Sequence, residues 1–143
     1  MVYIDTSVLV ALFTNEATAE RITTWFAEES RPLVSGDWCV IEFANALALK
    51  QRTLQINTKQ SNAAWKVFNQ FCDQSLRLLP LDRDIFNQAA HLIRTSKNGL
   101  PGLRSGDALH LALALRIGAM AFFTLDLRLA ESAKHSKLPS VDF

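Results

Sequence analysis

The sequence lacks the patterns that mark several large classes of protein. It has only two cysteines, Cys39 and Cys72, and no CxxC motif or Cys/His cluster, so a zinc site is not expected. Both lie in apolar helical patterns, which favours buried free thiols in a reducing compartment. No apolar run is long enough to span a membrane, and Asp5 interrupts the apolar N-terminus. We therefore expect no membrane span, no signal peptide and a cytoplasmic location.

The sequence also has little excess charge of either sign. Its 15 Lys and Arg against 14 Asp and Glu give a formal net charge of +1, within an ordinary globular composition. If RNA is the partner, attraction must therefore come from a local basic patch or from bound metal. The length of 143 residues, without a repeat or a dividing linker, predicts a single domain over residues 1–143.

Short apolar segments alternate with longer helical patterns along the chain. The segments predicted as strands are Val2–Ile4, 32–35, part of 76–81, 120–123 and a short one near Ser140 and Val141. The segments between them carry apolar residues at helical spacing, most densely in a helix predicted from residue 38 to about 52. Such alternation predicts an α/β fold with a parallel sheet covered by helices on both faces.

Four acidic residues lie at positions that are not typical of a solvent-exposed helix face. Asp5 directly follows the first strand and Asp126 the fourth, at the carboxyl ends of strands, where open α/β sheets bind ligands. Glu42 lies within the most apolar helix, and Asp107 begins another apolar run. A carboxylate on the core side of a helix is costly unless it is paired or binds metal. Taken singly, however, Asp5, Asp107 and Asp126 also suit helix starts, and Glu42 could point to solvent.

These residues and their neighbours resemble the motifs of the PIN domain. The segment DTSVL at 5–9, with Glu42 in a helix after a strand, resembles the first half of that domain. The segment RSGDALHLA at 104–112 resembles its third motif, and TLD at 124–126 its fourth. Each motif alone is weak, but their order and spacing match over nearly the whole chain.

The resemblance implies a PIN-like three-layer α/β/α fold with a central parallel sheet of four to five strands. It also implies an endoribonuclease that depends on Mg²⁺ or Mn²⁺. The family's acidic quartet then falls on Asp5, Glu42, Asp107 and Asp126, and its supporting hydroxyl positions fall on Thr6 and Thr124. We expect Asp5 and Asp107 to be the main metal ligands, with the other two carboxylates completing the site directly or through water.

Small bacterial PIN proteins are typically VapC toxins of type II toxin–antitoxin systems. The resemblance therefore implies a toxin that cleaves cellular RNA (tRNA or rRNA), arrests growth and is held inactive by a VapB-type antitoxin. It also implies a homodimer. The residues favour the same conclusion, because the helices predicted at 38–49 and 58–72 carry more apolar surface than one small core needs. A further apolar groove would take an antitoxin segment.

The roles of two basic side chains near the third motif stay open. His110, three residues after Asp107, is either a general base or a buried hydrogen-bonded histidine. The second interpretation is favoured, because metal-bound hydroxide makes an imidazole base unnecessary. Arg104, with Arg94 and Lys97 across a Gly/Pro loop, either contacts RNA phosphate or lies in a solvated loop.

Other functional classes share the predicted fold. A phosphoacceptor receiver module, which is a signalling domain, needs an acidic pair after the first strand and a Lys after the last. The chain has a single acid after the first strand, in IDT at 4–6, and no such Lys in the last region, SVD at 140–142. A phosphatase of the DxD type needs an Asp where Ser7 stands. Within the PIN class, the alternative to a toxin is a housekeeping RNA-processing nuclease without an antitoxin.

Overall fold

Strands and helices alternate in a computed structural model of the chain, which describes residues 1–96 and 102–143. The strands are β1 (Val2–Ile4), β2 (Leu33–Gly36), β3 (Leu76–Leu79) and β4 (Ala121–Phe123). The helices are α1 (Thr6–Phe13), α2 (Ala19–Glu28), α3 (Trp38–Arg52), α4 (Thr58–Gln74), α5 (Arg83–Thr95), α6 (Ser105–Arg116) and α7 (Leu127–His135). These elements and bounds follow the predicted ones closely. Within the described ranges, none of the helices is long and apolar enough to cross a lipid bilayer.

The four strands form one parallel sheet in the order β3-β2-β1-β4. In the centre, Val2 of β1 lies opposite Leu33 of β2 on one side and Ala121 of β4 on the other. The segment predicted as a fifth strand contributes a single parallel bridge, between Phe122 and Ser140. Parallel neighbours require crossover connections, which the helices between the strands supply.

Each face of the sheet has its own apolar core, because side chains along a strand point alternately to opposite faces. Tyr3 and Phe122 are fully buried in the core that includes residues of α5, α6 and α7. Val2, Ile4 and Phe123 are fully buried in the other core, with residues of α1, α2, α3 and α4. The predicted three-layer α/β/α architecture is thus confirmed.

The two cysteines differ in burial. Cys39 is buried in the core on α3, as expected, whereas Cys72 on α4 is only half-buried, and both are free thiols. Burial raises the pKa of Cys39 to about 12 and that of Cys72 to about 11. Both side chains are therefore protonated, unreactive thiols at neutral pH.

The carboxyl ends of the strands meet at one edge of the sheet, and this edge positions the acidic residues. Asp5 follows β1 and Thr124 follows β4, and these two strands are neighbours. Helix α3 begins at the same edge just after β2 and carries Glu42 in its second turn. Helix α6 packs on the opposite face and brings Asp107 in its first turn to the same edge.

Candidate metal-dependent nuclease site

Asp5 is buried at the end of β1 and is also the N-cap of α1. Its Oδ2 accepts hydrogen bonds from the backbone N–H of Ser7 at 3.3 Å, the Ser7 hydroxyl at 2.5 Å and the Thr124 hydroxyl at 2.8 Å. Asp5 has the extended N-cap backbone and Thr6 is already helical, so α1 is capped by Asp5, as the sequence allowed. The other oxygen, Oδ1, lies 3.6 Å from Nε2 of His110. One oxygen is thus fixed by the fold, and the other faces the site.

Glu42 points into the site rather than to solvent. Its Oε2 accepts a hydrogen bond from the Thr6 hydroxyl at 2.5 Å and lies 2.6 Å from Nε2 of His110. Its Oε1 accepts a hydrogen bond from the Trp38 indole N–H at 2.9 Å. Burial alone would raise the pKa of Glu42, but the hydrogen bonds from these three side chains lower it below its ordinary value. The carboxylate is therefore ionised and held at both oxygens.

His110 is buried in this network, with 1% of its surface exposed. Its Nδ1 lies 2.9 Å from the Tyr3 hydroxyl, on the side opposite Glu42. Burial alone would lower the pKa of His110, but the hydrogen bond to Glu42 and the negative charges of Asp5, Glu42 and Asp107 raise it. The interpretation of His110 as a buried, hydrogen-bonded histidine is confirmed.

Asp107 and Asp126 lie at the starts of α6 and α7. Asp107 is half-buried, and its Oδ2 lies 3.4 Å from the backbone N of Arg104. Asp126 is the N-cap of α7, where its Oδ1 accepts two backbone N–H bonds of 2.8 and 3.1 Å. Burial raises the pKa of Asp107, and the negative charges of Asp126 and Asp5 raise it further. The negative charges of Asp126 and Asp5 thus act on Asp107, and both Asp107 and Asp126 also have a structural contact.

Two threonine hydroxyls connect the predicted acidic residues. Thr124 donates to Oδ2 of Asp5 and accepts from the backbone N–H of Asp126 at 3.0 Å. Thr6, which is buried, donates to Glu42. Such hydroxyls orient carboxylates at the outer shell of a metal site. The geometry suits the supporting role predicted for both threonines.

The site has the donor chemistry that a hard divalent cation requires. Asp5, Glu42 and His110 each offer one donor atom, and the three atoms lie within 4.8 Å of one another. Asp107 and Asp126 lie outside this group of three donor atoms, although burial and the negative charges of Asp126 and Asp5 raise the pKa of Asp107. Carboxylate oxygens are the ligands that Mg²⁺ and Mn²⁺ prefer, and a bound cation would compensate the mutual repulsion. The residues present therefore fit a divalent metal.

A sequence model of the PIN domain matches residues 2–135. The chain belongs to the PIN-domain family. Members of this family are nucleases that use divalent metals, so the chain is classed with hydrolases that act on nucleic acid. This membership sets aside the receiver module and the DxD phosphatase.

Solved structures with the same fold include several bacterial toxins of the family. The Mycobacterium tuberculosis VapC20, a toxin that cleaves the sarcin-ricin loop, is 16% identical, with a TM-score of 0.71 over 92% of this chain and 95% of that one. FitAcB from Neisseria gonorrhoeae is 19% identical, with a TM-score of 0.70 over 99% and 97% of the two chains. VapBC-1 from nontypeable Haemophilus influenzae is 17% identical, with a TM-score of 0.68 over 99% and 98%. No curated protein sequence matches the chain significantly.

Sequence reasoning missed the roles of several side chains in this PIN-domain site. Trp38 lies four residues before Glu42, one helical turn away, and that spacing could have indicated their contact. A Cβ at Gly106 would collide with the Glu42 carboxylate, so the glycine allows α6 to pack against it. The contacts of Tyr3 with α6 and of Ser7 with Thr124 span more than a hundred residues, so no local pattern signals them.

The side chains of Arg104 and Arg94, two of the basic residues predicted near the RNA, lie outside this hydrogen-bonded network. Arg104 is exposed at the N-cap of α6, three residues before Asp107. Arg94 is exposed near the end of α5, and Lys97, with the Gly/Pro loop as far as Pro101, lies outside the described residues. The position of Arg104 at the rim suits contact with a phosphate, which stays a prediction.

Proposed function

We propose that this chain is a Mg²⁺- or Mn²⁺-dependent endoribonuclease that acts as the toxin of a toxin–antitoxin pair. One observation carries the proposal: Asp5 at the end of β1 and Glu42 on α3 converge at the carboxyl edge of the sheet, where a donor oxygen of one lies within 4.8 Å of a donor oxygen of the other. Such convergence of like charges costs stability and is typical of a site that binds a cation. RNA as the substrate is supported by VapC20, which shares the fold and cleaves the sarcin-ricin loop.

In this proposal, the four carboxylates have different roles in binding the metal. Asp5 and Asp107 are the main ligands, because one oxygen of Asp5 faces the site and Asp107 is a half-buried carboxylate beside the negative charges of Asp126 and Asp5. Glu42 and Asp126 complete the site directly or through water. A divalent cation bound there neutralises charge on the phosphate and lowers the pKa of a bound water.

The side chains around the carboxylates orient them and the substrate. Thr6 holds Glu42, and Thr124 holds Asp5 against the start of α7. Arg104 binds an RNA phosphate at the rim, which supplies the local positive charge that the overall charge of +1 does not.

Purified protein, free of antitoxin, tests the nuclease. We expect it to cleave structured RNA with Mg²⁺ or Mn²⁺ and to stop when EDTA is added. The variants Asp5→Asn and Asp107→Asn should lose cleavage, whereas Glu131→Gln, which removes an exposed acid on α7, should keep it. Full cleavage in EDTA, or in both site variants, would refute the metal-dependent mechanism.

Growth experiments separate a toxin from a housekeeping nuclease. Expression of the chain should arrest growth, Asp5→Asn should relieve the arrest, and co-expression of a small DNA-binding protein encoded next to the gene should neutralise it. The partner is supported by VapBC-1, a complex of this fold. RNA cleavage without growth arrest would favour the housekeeping nuclease.

Exposed apolar side chains support a homodimer. Ile41 and Leu49 on α3 and Trp65 and Val67 on α4 are between 37% and 62% exposed, and clustered apolar exposure marks interfaces. A groove of about 400 Å³ between the end of α1 and α4, lined partly by Val67, offers a place for an antitoxin segment.

The dimer is tested by light scattering at micromolar concentration. Ile41→Lys should shift the protein toward monomer, because a charge in an apolar interface is costly. Met120→Lys is the matched control, since Met120 is equally exposed, at 62%, but lies next to β4 at the other end of the sheet. A wild-type protein that is strictly monomeric would contradict the proposal.

A further inference from the structure

The imidazole of His110 is held from both sides inside the protein. Nδ1 lies 2.9 Å from the Tyr3 hydroxyl, and Nε2 lies 2.6 Å from Oε2 of Glu42. Tyr3 is itself immobile, because it is fully buried on β1, an inner strand, and its ring stacks on that of Phe122 at 5.3 Å. The rigid centre of the sheet is thus connected to Glu42 through a single buried ring.

The direction of these hydrogen bonds follows from what each group can donate. Both oxygens of Glu42 are acceptors, Oε1 from the Trp38 indole N–H and Oε2 from the Thr6 hydroxyl, so Nε2 of His110 carries the hydrogen of its contact with Glu42. In the neutral imidazole, Nδ1 is then an acceptor, and the Tyr3 hydroxyl is its donor. An ordinary phenol, with a pKa of 10.0, keeps its hydrogen at neutral pH, so the Tyr3 hydroxyl can donate. A protonated imidazole would also donate from Nε2, so the contact with Glu42 has the same direction in both states.

The direction of the hydrogen bond from Nε2 of His110 to Glu42 decides whether this nitrogen can bind a metal. A ring nitrogen that carries a hydrogen has no lone pair for a cation. Nε2 therefore does not serve as a ligand, although it lies within 4.8 Å of the donor oxygens of Asp5 and Glu42. We propose that Tyr3 and His110 form a positioning pair that fixes the Glu42 carboxylate for the nuclease reaction, with Nε2–H of His110 as donor and not as metal ligand. The inference rests on the proposed function.

The position of the pair in the fold explains why Glu42 would need it. Glu42 lies on α3, on one face of the sheet, whereas His110 belongs to α6 on the other face. Trp38 holds Oε1 from the same helix as Glu42, so it cannot fix the distance between the two layers. His110 can, because Tyr3 anchors it to the sheet between them. Loss of such an outer-shell partner typically costs about 10- to 100-fold in activity or metal affinity.

Three substitutions separate the hydrogen bond from the volume of the side chain. His110→Leu keeps much of the volume without a donor, His110→Gln restores an N–H donor, and Tyr3→Phe removes only the hydroxyl. We expect kcat for RNA at saturating Mn²⁺ to fall about 10- to 100-fold in His110→Leu, and less in Tyr3→Phe, with KM nearly unchanged. His110→Gln should recover most of the loss, and His91→Gln, on the exposed side of α5, is the control.

A double-mutant cycle shows whether His110 acts through Glu42. In the Glu42→Gln background, His110→Leu should cause little further loss of kcat, because the carboxylate that it positions is gone. Equal losses in both backgrounds would overturn the proposal. So would a failure of His110→Gln to exceed His110→Leu. If His110→Leu does not fold, as judged by circular dichroism, Tyr3→Phe replaces it in the cycle.

A measurement without RNA keeps this inference separate from the proposed nuclease. In protein labelled with ¹⁵N-histidine and held in EDTA, NMR should show Nε2 of His110 protonated, and Tyr3→Phe should move the Nδ1 resonance. Addition of Mg²⁺ should leave the hydrogen on Nε2, whereas its loss would show a metal ligand and overturn the proposal. A wild-type protein that cleaves no RNA but gives these spectra would refute the proposed function and leave the hydrogen-bonded pair intact.

Discussion

The two pairs of carboxylates in the site are held in different ways. The inner pair, Asp5 and Glu42, accepts hydrogen bonds from side chains that come from distant parts of the chain. The outer pair, Asp107 and Asp126, meets backbone N–H groups at the start of its own helices. Asp5 also caps its own helix, α1, but side chains from other elements hold both members of the inner pair, whereas backbone N–H groups near the starts of α6 and α7 hold the outer pair.

This difference indicates where a cation matters most. The charge of Glu42 is stabilised by its neighbours, and its pKa is lowered, whereas the pKa of Asp107 is raised by burial and by the charges of Asp126 and Asp5. The inner pair should thus keep its geometry without metal, and the outer pair should gain most when metal binds. In such a site the inner pair is preorganised by the fold, and the outer pair would reach its final arrangement when the metal binds.

The largest effect is expected at Asp5, because its negative charge contributes to the raised pKa of both Asp107 and His110. Asp5→Asn should lower RNA cleavage at least about 100-fold, more than loss of a second-shell group. Its stability should change by only about 1 kcal/mol, because the amide oxygen can still accept from Thr124. Cleavage rates and thermal melts, with the exposed Asp73→Asn as control, check both expectations. Near-normal cleavage of RNA by Asp5→Asn would contradict the central role of Asp5 in the site.

The next largest effect is the stabilisation by Mn²⁺, which should differ between variants of the inner pair and variants of the outer pair. At a hundred times its Kd, Mn²⁺ should stabilise the wild type by about 2.7 kcal/mol. Asp107→Asn should lose much of this gain while its metal-free stability is unchanged or higher. Glu42→Gln should instead be less stable even in EDTA, by about 1.5–3 kcal/mol, because it breaks charge-assisted hydrogen bonds. Thermal melts with Mn²⁺ or EDTA measure both. A metal-free Asp107→Asn that melts much lower, with an unchanged response to Mn²⁺, would show that Asp107 is only a structural cap.

A smaller effect is expected from one added methyl group beside the inner pair. In Gly106→Ala the new Cβ would collide with the Glu42 carboxylate, and such overpacking typically costs about 1–3 kcal/mol. Cleavage should fall with it, because Glu42 must move. Gly102→Ala is the matched control, since no described atom lies within 4 Å of its Cβ position. Equal cleavage by the two variants would show that the position of Glu42 is not critical.

The smallest effect is the pH dependence of stability that Asp107 contributes without metal. Its pKa is raised in the folded protein, so its charge destabilises the fold fully above that pKa. The cost declines as pH falls through the folded pKa and vanishes below the ordinary value of 3.8. Asp107→Asn should therefore exceed the wild type in stability at pH 7, by a margin that shrinks toward pH 3.8. Urea unfolding in EDTA measures the margin, and a margin that grows on acidification would contradict the raised pKa.

Much of the fold and half of the site geometry were predictable from the sequence. The alternation of apolar strands and amphipathic helices indicated the parallel α/β sheet. Because the carboxyl ends of parallel strands lie at one edge of a sheet, Asp5 and Asp126 could be placed at that edge. The orientation of Glu42 was not predictable, because α3 is apolar around much of its girth and offers no single polar face.

The sequence by itself determined which elements form and in what order, because strand and helix periodicity and helix capping are local properties. It also determined which carboxylates are candidates, since acidic residues in apolar surroundings stand out in the chain. Only the tertiary structure decided how they are held. Tyr3 and His110 lie 107 positions apart, and His110 and Glu42 lie 68 apart. Their contacts arise because the sheet and the helices on its two faces bring those positions together, which depends on packing and not on any local pattern.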